Sequence, residues 1–404
     1  MFKYHDNALS RILRRSKSIF TEDIHNNQQM LKDRISISRL LIIGAAGSIG
    51  NAFVKQVAKY SPKTLHLIDL SENNLVEVVR DLRSSQINLP NDFKTYAIAM
   101  GSIEFNAFLE SEFNYDYVLN FAAMKHVRSE KDPYSLMRIF NTNVYYVKGL
   151  LEELSNHNIK KFFSVSSDKA VNPVSLMGAT KAFMENIMWA YSEKVSSSTA
   201  RFANVAFSDG SLLYGFQQRL AKNQPISAPS DVQRYFISHE EAGQLCLLSC
   251  FLGDNRDIYF PQIGQDLELI TFAEIARIFL KSLGYEPTEY SSEEAAREVA
   301  ESLQKNSKQW PCYFSESDTT GEKPYEEFYT EKDEVDFETY QKIGIIHQTK
   351  LNPDHKANLF KVINSIEDIQ KSNHWSKEQI VDLSKIAVPE FEHEEKNKDL
   401  DQKM

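Results

Sequence analysis

The sequence has few cysteines, no long apolar run and no excess of basic residues. Three cysteines, Cys246, Cys250 and Cys312, are too few for a disulfide framework, and their odd number suits a reducing compartment. No apolar run approaches the roughly 18 residues that a membrane-spanning helix needs, and the N-terminal segment lacks the apolar stretch of a secretory signal. A formal net charge of −10 argues against nucleic acid as the principal partner. We therefore expect a cytoplasmic protein that neither spans a membrane nor binds nucleic acid.

Patterns typical of metal sites, redox pairs and hydrolases are missing as well. The ten histidines show no metal-ligand spacing, so no metal site is predicted. The G-x-S-x-G nucleophile elbow is absent, which removes the usual indication of a hydrolase. Cys246 and Cys250 lie four residues apart in an apolar stretch and are interpreted as core residues rather than as a redox pair.

Apolar strands alternate with helical segments between residues 39 and 207. The strand candidates are RLLII from residue 39, TLHLIDL (64–70), KTYAIAMGS (94–102), DYVLNFAA (116–123), KKFFSVSSD (160–168) and STARFANVAF (198–207). Because they are apolar throughout rather than alternating, they indicate a parallel sheet covered on both faces. The sequence therefore predicts a doubly wound α/β fold.

Three glycines, Gly44, Gly47 and Gly50, lie between the first strand and the first helix. Glycine at such a turn permits unusual φ angles and lets a pyrophosphate approach the backbone at the N-terminus of the helix. Asp69 ends the second strand, where a carboxylate can hold the adenosine ribose hydroxyls of NAD and would repel the extra phosphate of NADP. The alternative is that Asp69 caps the following helix. No arginine follows it directly, so the pattern favours NAD.

Changes in composition divide the chain into four parts. These are an N-terminal arm (1–36), an NAD-binding domain (37–207), a smaller α/β substrate-binding lobe (208–345) and a C-terminal helical extension (346–404). A later strand candidate at about 256–262 could return to the main sheet. The arm carries a basic cluster and is interpreted as a surface segment or an oligomer contact. A membrane-surface helix is the alternative, which the short apolar face disfavours.

The segment SVSSDKAVNPVSLMGATK (164–181) closes the fifth strand and opens a long helix. Its Met177 and Lys181 have the spacing of the Tyr-x-x-x-Lys pair of short-chain dehydrogenases/reductases. Together with the glycine turn and FAAMKHV (121–127), the segment resembles the extended branch of that family. More narrowly, it resembles the bacterial polysaccharide-biosynthesis nucleotide-sugar 4,6-dehydratases, whose signature is close to S-T-D-K-A-x-N-P-x-x-x-M-G-A-T-K. Further matches are TNV (142–144), ARFANVAFSDGS (200–211), RYF (234–236), TGEKPYEEFY (320–329) and, at the end of the chain, LDQKM (400–404).

The sequence departs from the family pattern at four positions. Ser167 replaces the usual threonine and keeps a hydroxyl, and Ala203 replaces a glycine. Ser102 stands where an acidic residue is usual, so the adenine contact there can differ. Met177 replaces the dehydrogenase tyrosine, an exchange that this branch tolerates. Met177 has no exchangeable proton and cannot act as an acid or a base.

The resemblance implies an extended Rossmann fold and a set of site residues. The implied catalytic residues are Ser167, Asp168, Lys169, Met177 and Lys181. The implied cofactor-binding residues are Gly44, Ala46, Gly47, Ser48, Ile49, Gly50, Asp69, Ser102, Ala122 and Lys181. The implied substrate-binding residues are Lys125, His126, Asn143, Asn204, Ser211 and Arg234. We favour Asp168 as the acid at C6 and Lys169 as the base at C5, but the reverse assignment stays open, because coupled groups do not reveal which one holds the proton.

The activity that the resemblance implies is an NAD-dependent 4,6-dehydration of a nucleotide-activated N-acetylhexosamine. The substrate would be UDP-GlcNAc, the product a 4-keto-6-deoxy sugar for surface glycan synthesis, and the protein a homo-oligomer, a dimer or larger. One alternative is a UDP-sugar 4- or 5-epimerase on the same fold. Another is a non-catalytic nucleotide-binding scaffold. The sequence leaves open the choice between UDP and GDP and the configuration at C5.

Overall fold

The computed structural model describes residues 2–264, 267–304, 306–318 and 323–393. The LDQKM tail and the first residues of the TGEKPYEEFY stretch lie outside the described residues. The strands are β1 Arg39–Ile43, β2 Thr64–Ile68, β3 Asp92–Tyr96, β4 Tyr117–Asn120, β5 Lys161–Ser167, β6 Ser197–Phe202, β7 Asn204–Val205, β8 Ile226–Pro229, β9 Gln233–Arg234, β10 Phe236–Ile237, β11 Asp257–Pro261, β12 Ile270–Thr271, β13 Glu286–Glu289, β14 Gln309–Ser315, β15 Val335–Asp336 and β16 Ile343–His347. The helices are α1 Phe2–Leu13, α2 Thr21–Ile35, α3 Ser48–Ala58, α4 Glu72–Ser84, α5 Ile103–Glu112, α6 Pro133–Phe140, α7 Tyr146–Leu154, α8 Leu176–Tyr191, α9 Leu212–Ala221, α10 His239–Leu252, α11 Phe272–Ser282, α12 Glu293–Glu301, α13 Pro353–Lys371 and α14 Lys377–Ala387.

The main sheet has nine strands in the order β15-β16-β11-β6-β5-β4-β1-β2-β3. In that spatial order, the strands from β11 through β6, β5, β4, β1 and β2 to β3 are all parallel, whereas β16 pairs with β11 in the antiparallel direction. Every residue of β2, β4, β6 and β11 is buried, because helices cover both faces of the sheet. The predicted doubly wound α/β fold is confirmed.

The order in which successive strands are added to the sheet reverses at β1: β2 and β3 lie on one side of it, and β4 and the later strands lie on the other. In open α/β sheets, ligands bind in the crevice at such a switch point, beyond the carboxyl ends of the strands. The register places Ile43 opposite both Ile68 and Asn120, so the segments that follow β1, β2 and β4 emerge side by side. This edge of the sheet brings together the glycine turn, Asp69 and the segment after β4.

The third strand is shorter than predicted, because β3 ends at Tyr96 rather than near residue 102. Tyr96 pairs with Ile68, the last residue of β2, so the residues beyond it have no neighbouring strand to bond. Ile98 and Met100 nevertheless contact the main core from this loop, which accounts for their apolar character.

A second, smaller core holds the substrate lobe together. Its sheet has the order β13-β14-β8, with both pairs of strands parallel. Helix α1 packs against α11 and buries Ala8 and Ile12 in this second core. The following helix, α2, packs on α10 and buries Leu31 and Ile35 in the main core. The arm that the sequence predicted as a surface segment is therefore packed on both lobes.

Two cations of the basic cluster of the arm, Arg14 and Arg15, form ion pairs within the chain. Arg14 contacts Glu268 and Glu274 at 2.6 and 3.0 Å, and Arg15 forms a 2.8 Å ion pair with the buried Glu241. These cations hold α1 against the rest of the molecule. No helix in the described ranges has the length and apolar character needed to cross a membrane.

The C-terminal extension is a pair of helices that packs on the main domain. Helices α13 and α14 contact each other and both contact α8. Beyond α14, the backbone N–H of Glu392 donates a hydrogen bond of 3.0 Å to the carbonyl of Pro173. The extension therefore reaches the segment that follows Asp168 and Lys169.

Candidate active site

The glycine turn is tightly packed at two of its three glycines and open at the third. Gly44 has a φ of +73°, and a Cβ on it would lie 2.4 Å from the backbone nitrogen of Ala122. A Cβ on Gly50 would lie 2.1 Å from the carbonyl oxygen of Gly44. A Cβ on Gly47 would meet no atom closer than 3.6 Å. Gly44 and Gly50 therefore let the strand, the turn and α3 pack together, whereas Gly47 leaves space in front of the helix.

Helix α3 begins at Ser48, so Ser48, Ile49 and Gly50 form its first turn. The backbone N–H groups of a first turn have no partner within their helix and attract anions. The Ser48 hydroxyl donates to the carboxylate of Asp209 and accepts from the Asp209 backbone N–H, each at 2.9 Å. Asp209 comes from the loop before α9, so this pair joins the glycine turn to the substrate lobe. No sequence pattern assigned a role to Asp209.

Asp69 is fixed beside the glycine turn. One carboxylate oxygen accepts the backbone N–H of Ala46 at 2.9 Å, and the other accepts that of Ser71 at 2.9 Å. Ser71, rather than Asp69, caps α4 by accepting from the backbone N–H of Asn74. A carboxylate has about four acceptor positions, so two remain for ribose hydroxyls. The alternative interpretation of Asp69 as a helix cap is therefore not what the structure shows.

Ser102 and Ala122, two predicted cofactor residues, lie after β3 and β4. Ser102 caps α5 by accepting the backbone N–H of Phe105 at 3.2 Å. Ala122 follows β4 and lies against Gly44. The next residues after Asp69 and Ser102, Leu70 and Ile103, are 70% and 85% exposed. Both are exposed apolar side chains that directly follow predicted cofactor residues, and no sequence pattern assigned them a role.

Lys181 is buried on α8 and points at the end of β5. Its Nζ donates a 2.9 Å hydrogen bond to the carbonyl of Val165. Burial lowers the pKa of Lys181 to about 8, against an opposing effect of Glu185. Lys181 therefore loses its charge near physiological pH more readily than an exposed lysine.

Met177 lies one helical turn before Lys181 and is 2% exposed. The buried carboxylate of Glu130 accepts the backbone N–H groups of Leu176 and Met177, at 3.0 and 2.8 Å. Glu130 thus caps the N-terminus of α8 and fixes the start of the helix that carries Lys181. This role of Glu130 had no signal in the sequence pattern.

Ser167, Asp168 and Lys169 form a hydrogen-bonded cluster at the carboxyl end of β5. Asp168 is 3% exposed, and its Oδ1 accepts from the Ser167 hydroxyl at 2.7 Å and from Lys169 Nζ at 3.1 Å. The Ser167 hydroxyl also accepts the backbone N–H of Lys169. The three predicted acid–base residues are therefore in direct contact.

A second carboxylate joins this cluster from far along the chain. Glu326 Oε1 lies 3.3 Å from Lys169 Nζ. Burial lowers the pKa of Lys169, but the carboxylates of Asp168 and Glu326 together raise it above its ordinary value. Burial also raises the pKa of Glu326, against the effect of Lys169. Glu326 lies in the TGEKPYEEFY stretch, and no sequence pattern assigned it a role.

Arg234 is committed to backbone groups rather than to the open cavity. Its guanidinium donates to the carbonyls of Gln233, Lys323 and Pro324, and lies 3.6 Å from Glu326. The side chain is 6% exposed. The structure therefore places this predicted anion contact beside Glu326 and the backbone before it, and not in the lining of the cavity described next.

A cavity of about 600 Å³ lies between the carboxyl edge of the main sheet and the substrate lobe. Its lining includes Lys125, His126, Arg128, Asn204, Ser211 and Arg219. Four of these were predicted substrate residues, and two further cations, Arg128 and Arg219, were not. Asp168 and Lys169 are not among its lining residues. The cavity nevertheless adjoins their segment, because the lining residue Asn204 comes two positions after Phe202, which pairs with Ser167 in the sheet.

The charges in this cavity are partly desolvated. Burial lowers the pKa of Lys125, whereas the carboxylate of Asp209 opposes that effect. Burial, with help from Lys125 and Arg128, lowers the pKa of His126, which favours the neutral imidazole. Lys125 Nζ lies 3.4 Å from the Ser208 hydroxyl. The cavity thus offers cations and neutral donors.

The two predicted asparagines differ in what they bind. Asn143 makes reciprocal 2.9 Å hydrogen bonds with the backbone of Met124 and donates to the Thr180 hydroxyl. Its amide therefore positions the segment after β4 instead of facing a ligand. The amide nitrogen of Asn204 is buried and has no hydrogen-bond partner within the described residues. Since a buried donor without a partner is costly, Asn204 is well suited to bind a ligand oxygen.

Ser211, another predicted substrate residue, caps α9 by accepting the backbone N–H of Tyr214.

The described part of the chain contains no group of three or more His, Cys, Asp or Glu residues that could hold a metal ion.

Comparisons with known proteins agree with this architecture. A family described as "Polysaccharide biosynthesis protein" matches residues 40–348. An uncharacterised membrane protein of Methanocaldococcus jannaschii is 32% identical over 260 residues, 61% of this chain and 73% of its own length. The capsular polysaccharide biosynthesis protein CapD of Staphylococcus aureus is 25% identical over 359 residues, 86% of this chain. A UDP-N-acetylglucosamine 4,6-dehydratase (inverting) of Campylobacter jejuni is 26% identical over 237 residues, 55% of this chain.

The chain spans 57% of the length of CapD and 66% of that of the Campylobacter dehydratase. Among solved structures, Pen from Bacillus thuringiensis superposes with a TM-score of 0.64 at 19% identity, covering 82% of this chain and 98% of that one. That likeness supports the fold.

Proposed function

Because the chain belongs to the family of polysaccharide biosynthesis proteins, we propose that it catalyses the NAD-dependent 4,6-dehydration of a nucleotide-activated N-acetylhexosamine, with UDP-GlcNAc as the substrate. The observation that carries this proposal is the buried cluster of Ser167, Asp168 and Lys169 at the ligand-binding edge of the sheet. A dehydratase needs both a proton donor and a proton acceptor next to the sugar, and this cluster contains candidates for each. The Campylobacter relative carries that activity in its name.

The residues at the crevice fit NAD. The open backbone at Gly47 and the first turn of α3 suit a pyrophosphate, while the free acceptor positions of Asp69 suit ribose hydroxyls. We assign the second ribose to Lys181, as the spacing of Met177 and Lys181 in the family pattern implies. NAD, when bound, accepts a hydride from C4 of the sugar and later returns it to C6.

The cluster can move the protons that this reaction requires. Ser167 passes the O4 proton to Asp168 through their 2.7 Å hydrogen bond. Asp168 then protonates the C6 hydroxyl, which leaves as water. Lys169 in its neutral form removes the C5 proton, since the C4 ketone has made that proton acidic. The same lysine returns a proton to C5 when C6 is reduced. The net change is the loss of one water.

The cavity supplies a binding site for the nucleotide diphosphate. Arg219 and Arg128 provide guanidinium groups, and Lys125 an ammonium group, for an anion of this kind. The amide nitrogen of Asn204, which has no hydrogen-bond partner in the described part of the chain, can donate to a sugar or phosphate oxygen. Asp209 lies at the junction between this cavity and the glycine turn.

Incubation with UDP-GlcNAc in deuterated water tests the proposal. We expect a 4-keto product that has lost one water and carries deuterium at C5, detected by mass spectrometry and NMR. Asp168→Asn and Lys169→Ala are expected to lower turnover at least a hundredfold. Lys160→Ala is the matched control, because Lys160 lies at the start of the same segment and is half exposed in an ion pair with Asp116.

Three results would contradict the proposal or a part of it. A product of unchanged mass would identify an epimerase. Bound NAD without turnover of any nucleotide sugar would identify a non-catalytic nucleotide-binding protein. Near-native turnover in both active-site variants would reject the acid–base roles of Asp168 and Lys169.

A further inference from the structure

Glu326 reaches the catalytic cluster from a segment 157 positions after Lys169. Its carboxylate lies between two cations, with Oε1 3.3 Å from Lys169 Nζ and 3.6 Å from the Arg234 guanidinium. The side chain is 5% exposed. The other oxygen, Oε2, is buried and has no hydrogen-bond partner within the described residues. The contacts of this carboxylate are thus charge contacts rather than a saturated set of structural hydrogen bonds.

The segment that carries Glu326 is fastened on both sides of the cluster. Arg234 donates to the carbonyls of Lys323 and Pro324, which come shortly before Glu326. Lys323 Nζ donates at 2.9 Å to the carbonyl of Val171, two residues after Lys169. These bonds fix the backbone of residues 323 and 324 between Arg234 and Val171, so the carboxylate of Glu326, two positions later, is held close to Lys169.

We propose that Glu326 is a positioning residue that stabilises the ammonium form of Lys169 and so sets the pH at which Lys169 changes charge. The inference rests on the proposed function, because it assigns Glu326 a part in the work of Lys169. When Lys169 removes the C5 proton, a C–H bond breaks, an N–H bond forms and an ammonium is produced. A carboxylate held beside that ammonium stabilises it, which makes Lys169 a stronger base.

The charged groups around Lys169 act in opposite directions, and the carboxylates prevail. Lys169 faces the carboxylates of Asp168 and Glu326 and the more distant cation of Arg234, and the two carboxylates outweigh both burial and Arg234. Glu326 faces Lys169, Asp168, Arg234 and Lys323. Removing the charge of Glu326 leaves Asp168 as the single carboxylate in this set, so Lys169 must hold its proton less tightly.

The test is the titration of Lys169 in the full chain with Glu326→Gln, which keeps the size of the side chain and removes its charge. In protein labelled with ¹³C-lysine, the Lys169 signal is assigned by its loss in Lys169→Arg. We expect the midpoint to fall by at least about one pH unit, a tenfold change in the protonation equilibrium. Glu327→Gln is the matched control, since Glu327 is the half-buried neighbour and loses the same charge. Its Lys169 midpoint should stay at the wild-type value.

The pH dependence of kcat/KM provides the second measurement. The limb that belongs to Lys169 should move to lower pH in Glu326→Gln and return towards the wild-type position in Glu326→Asp. An unchanged Lys169 midpoint in a folded Glu326→Gln protein would overturn the inference, whatever happens to the rate. If the Gln variant does not fold, Glu326→Ala, which also removes the charge, takes its place, and an unchanged Lys169 midpoint in that variant would also overturn the inference. A wild-type protein that does not dehydrate UDP-GlcNAc would reject the proposed function, whereas the NMR titration would still decide the role of Glu326.

Discussion

Alanine at Gly50 and alanine at Gly47 are expected to damage the protein in different ways. A Cβ on Gly50 would lie 2.1 Å from the carbonyl oxygen of Gly44 and 3.0 Å from the Cα of Ala45. Ordinary contacts of a Cβ begin at 3.4 Å, so the backbone of the turn and α3 must separate by more than 1 Å. Overpacking of this kind costs about 1–3 kcal/mol, and more where backbone is involved. Gly50→Ala should therefore lower the melting temperature of the protein without nucleotide by several degrees.

Gly47→Ala should leave that melting temperature nearly unchanged, because the nearest atom to its Cβ is 3.6 Å away. The methyl group would instead occupy the space in which a pyrophosphate approaches the turn. We expect at least a tenfold loss of NADH affinity, about 1.4 kcal/mol. Thermal unfolding without nucleotide and a fluorescence titration with NADH measure the two effects separately. A Gly50→Ala protein as stable as the wild type, or a Gly47→Ala protein with unchanged NADH affinity, would refute this account of the turn.

Two further predictions concern cations near the site. Arg234→Lys should lower the melting temperature with little change in UDP affinity, since a lysine cannot bond the carbonyls of Gln233, Lys323 and Pro324 together. Arg219→Ala should instead weaken UDP binding and leave the melting temperature unchanged. Calorimetric titration with UDP and thermal unfolding compare the two variants, and the opposite pattern would identify Arg234 as the diphosphate contact. Burial lowers the pKa of Lys181 to about 8, so its ammonium is lost as the pH rises through that value. NADH affinity should therefore fall above about pH 8, and it should fall less in Lys181→Arg. An NADH affinity that stays constant in the wild type between pH 7 and pH 9 would contradict this.

Much of the nucleotide site follows from neighbouring residues in the sequence. An apolar strand, a turn with Gly44, Gly47 and Gly50, and a helix determine a local geometry that needs no distant partner. Asp69 joins it because parallel strands end at one edge of the sheet, which the alternation of strands and helices already indicated. Ser167, Asp168 and Lys169 are adjacent in the chain, so their mutual contact was also within reach of sequence reasoning.

The sequence by itself therefore determined the doubly wound fold, the crevice and the three adjacent acid–base candidates, since each depends on local pattern and strand order. Tertiary packing alone decided which groups the polar side chains of the site contact. It turned Arg234 towards three carbonyls, placed Asn143 on the backbone of Met124 and brought Glu326 to Lys169. Burial then set the charges, because desolvation depends on which distant segments cover a group, and no spacing of residues encodes that cover.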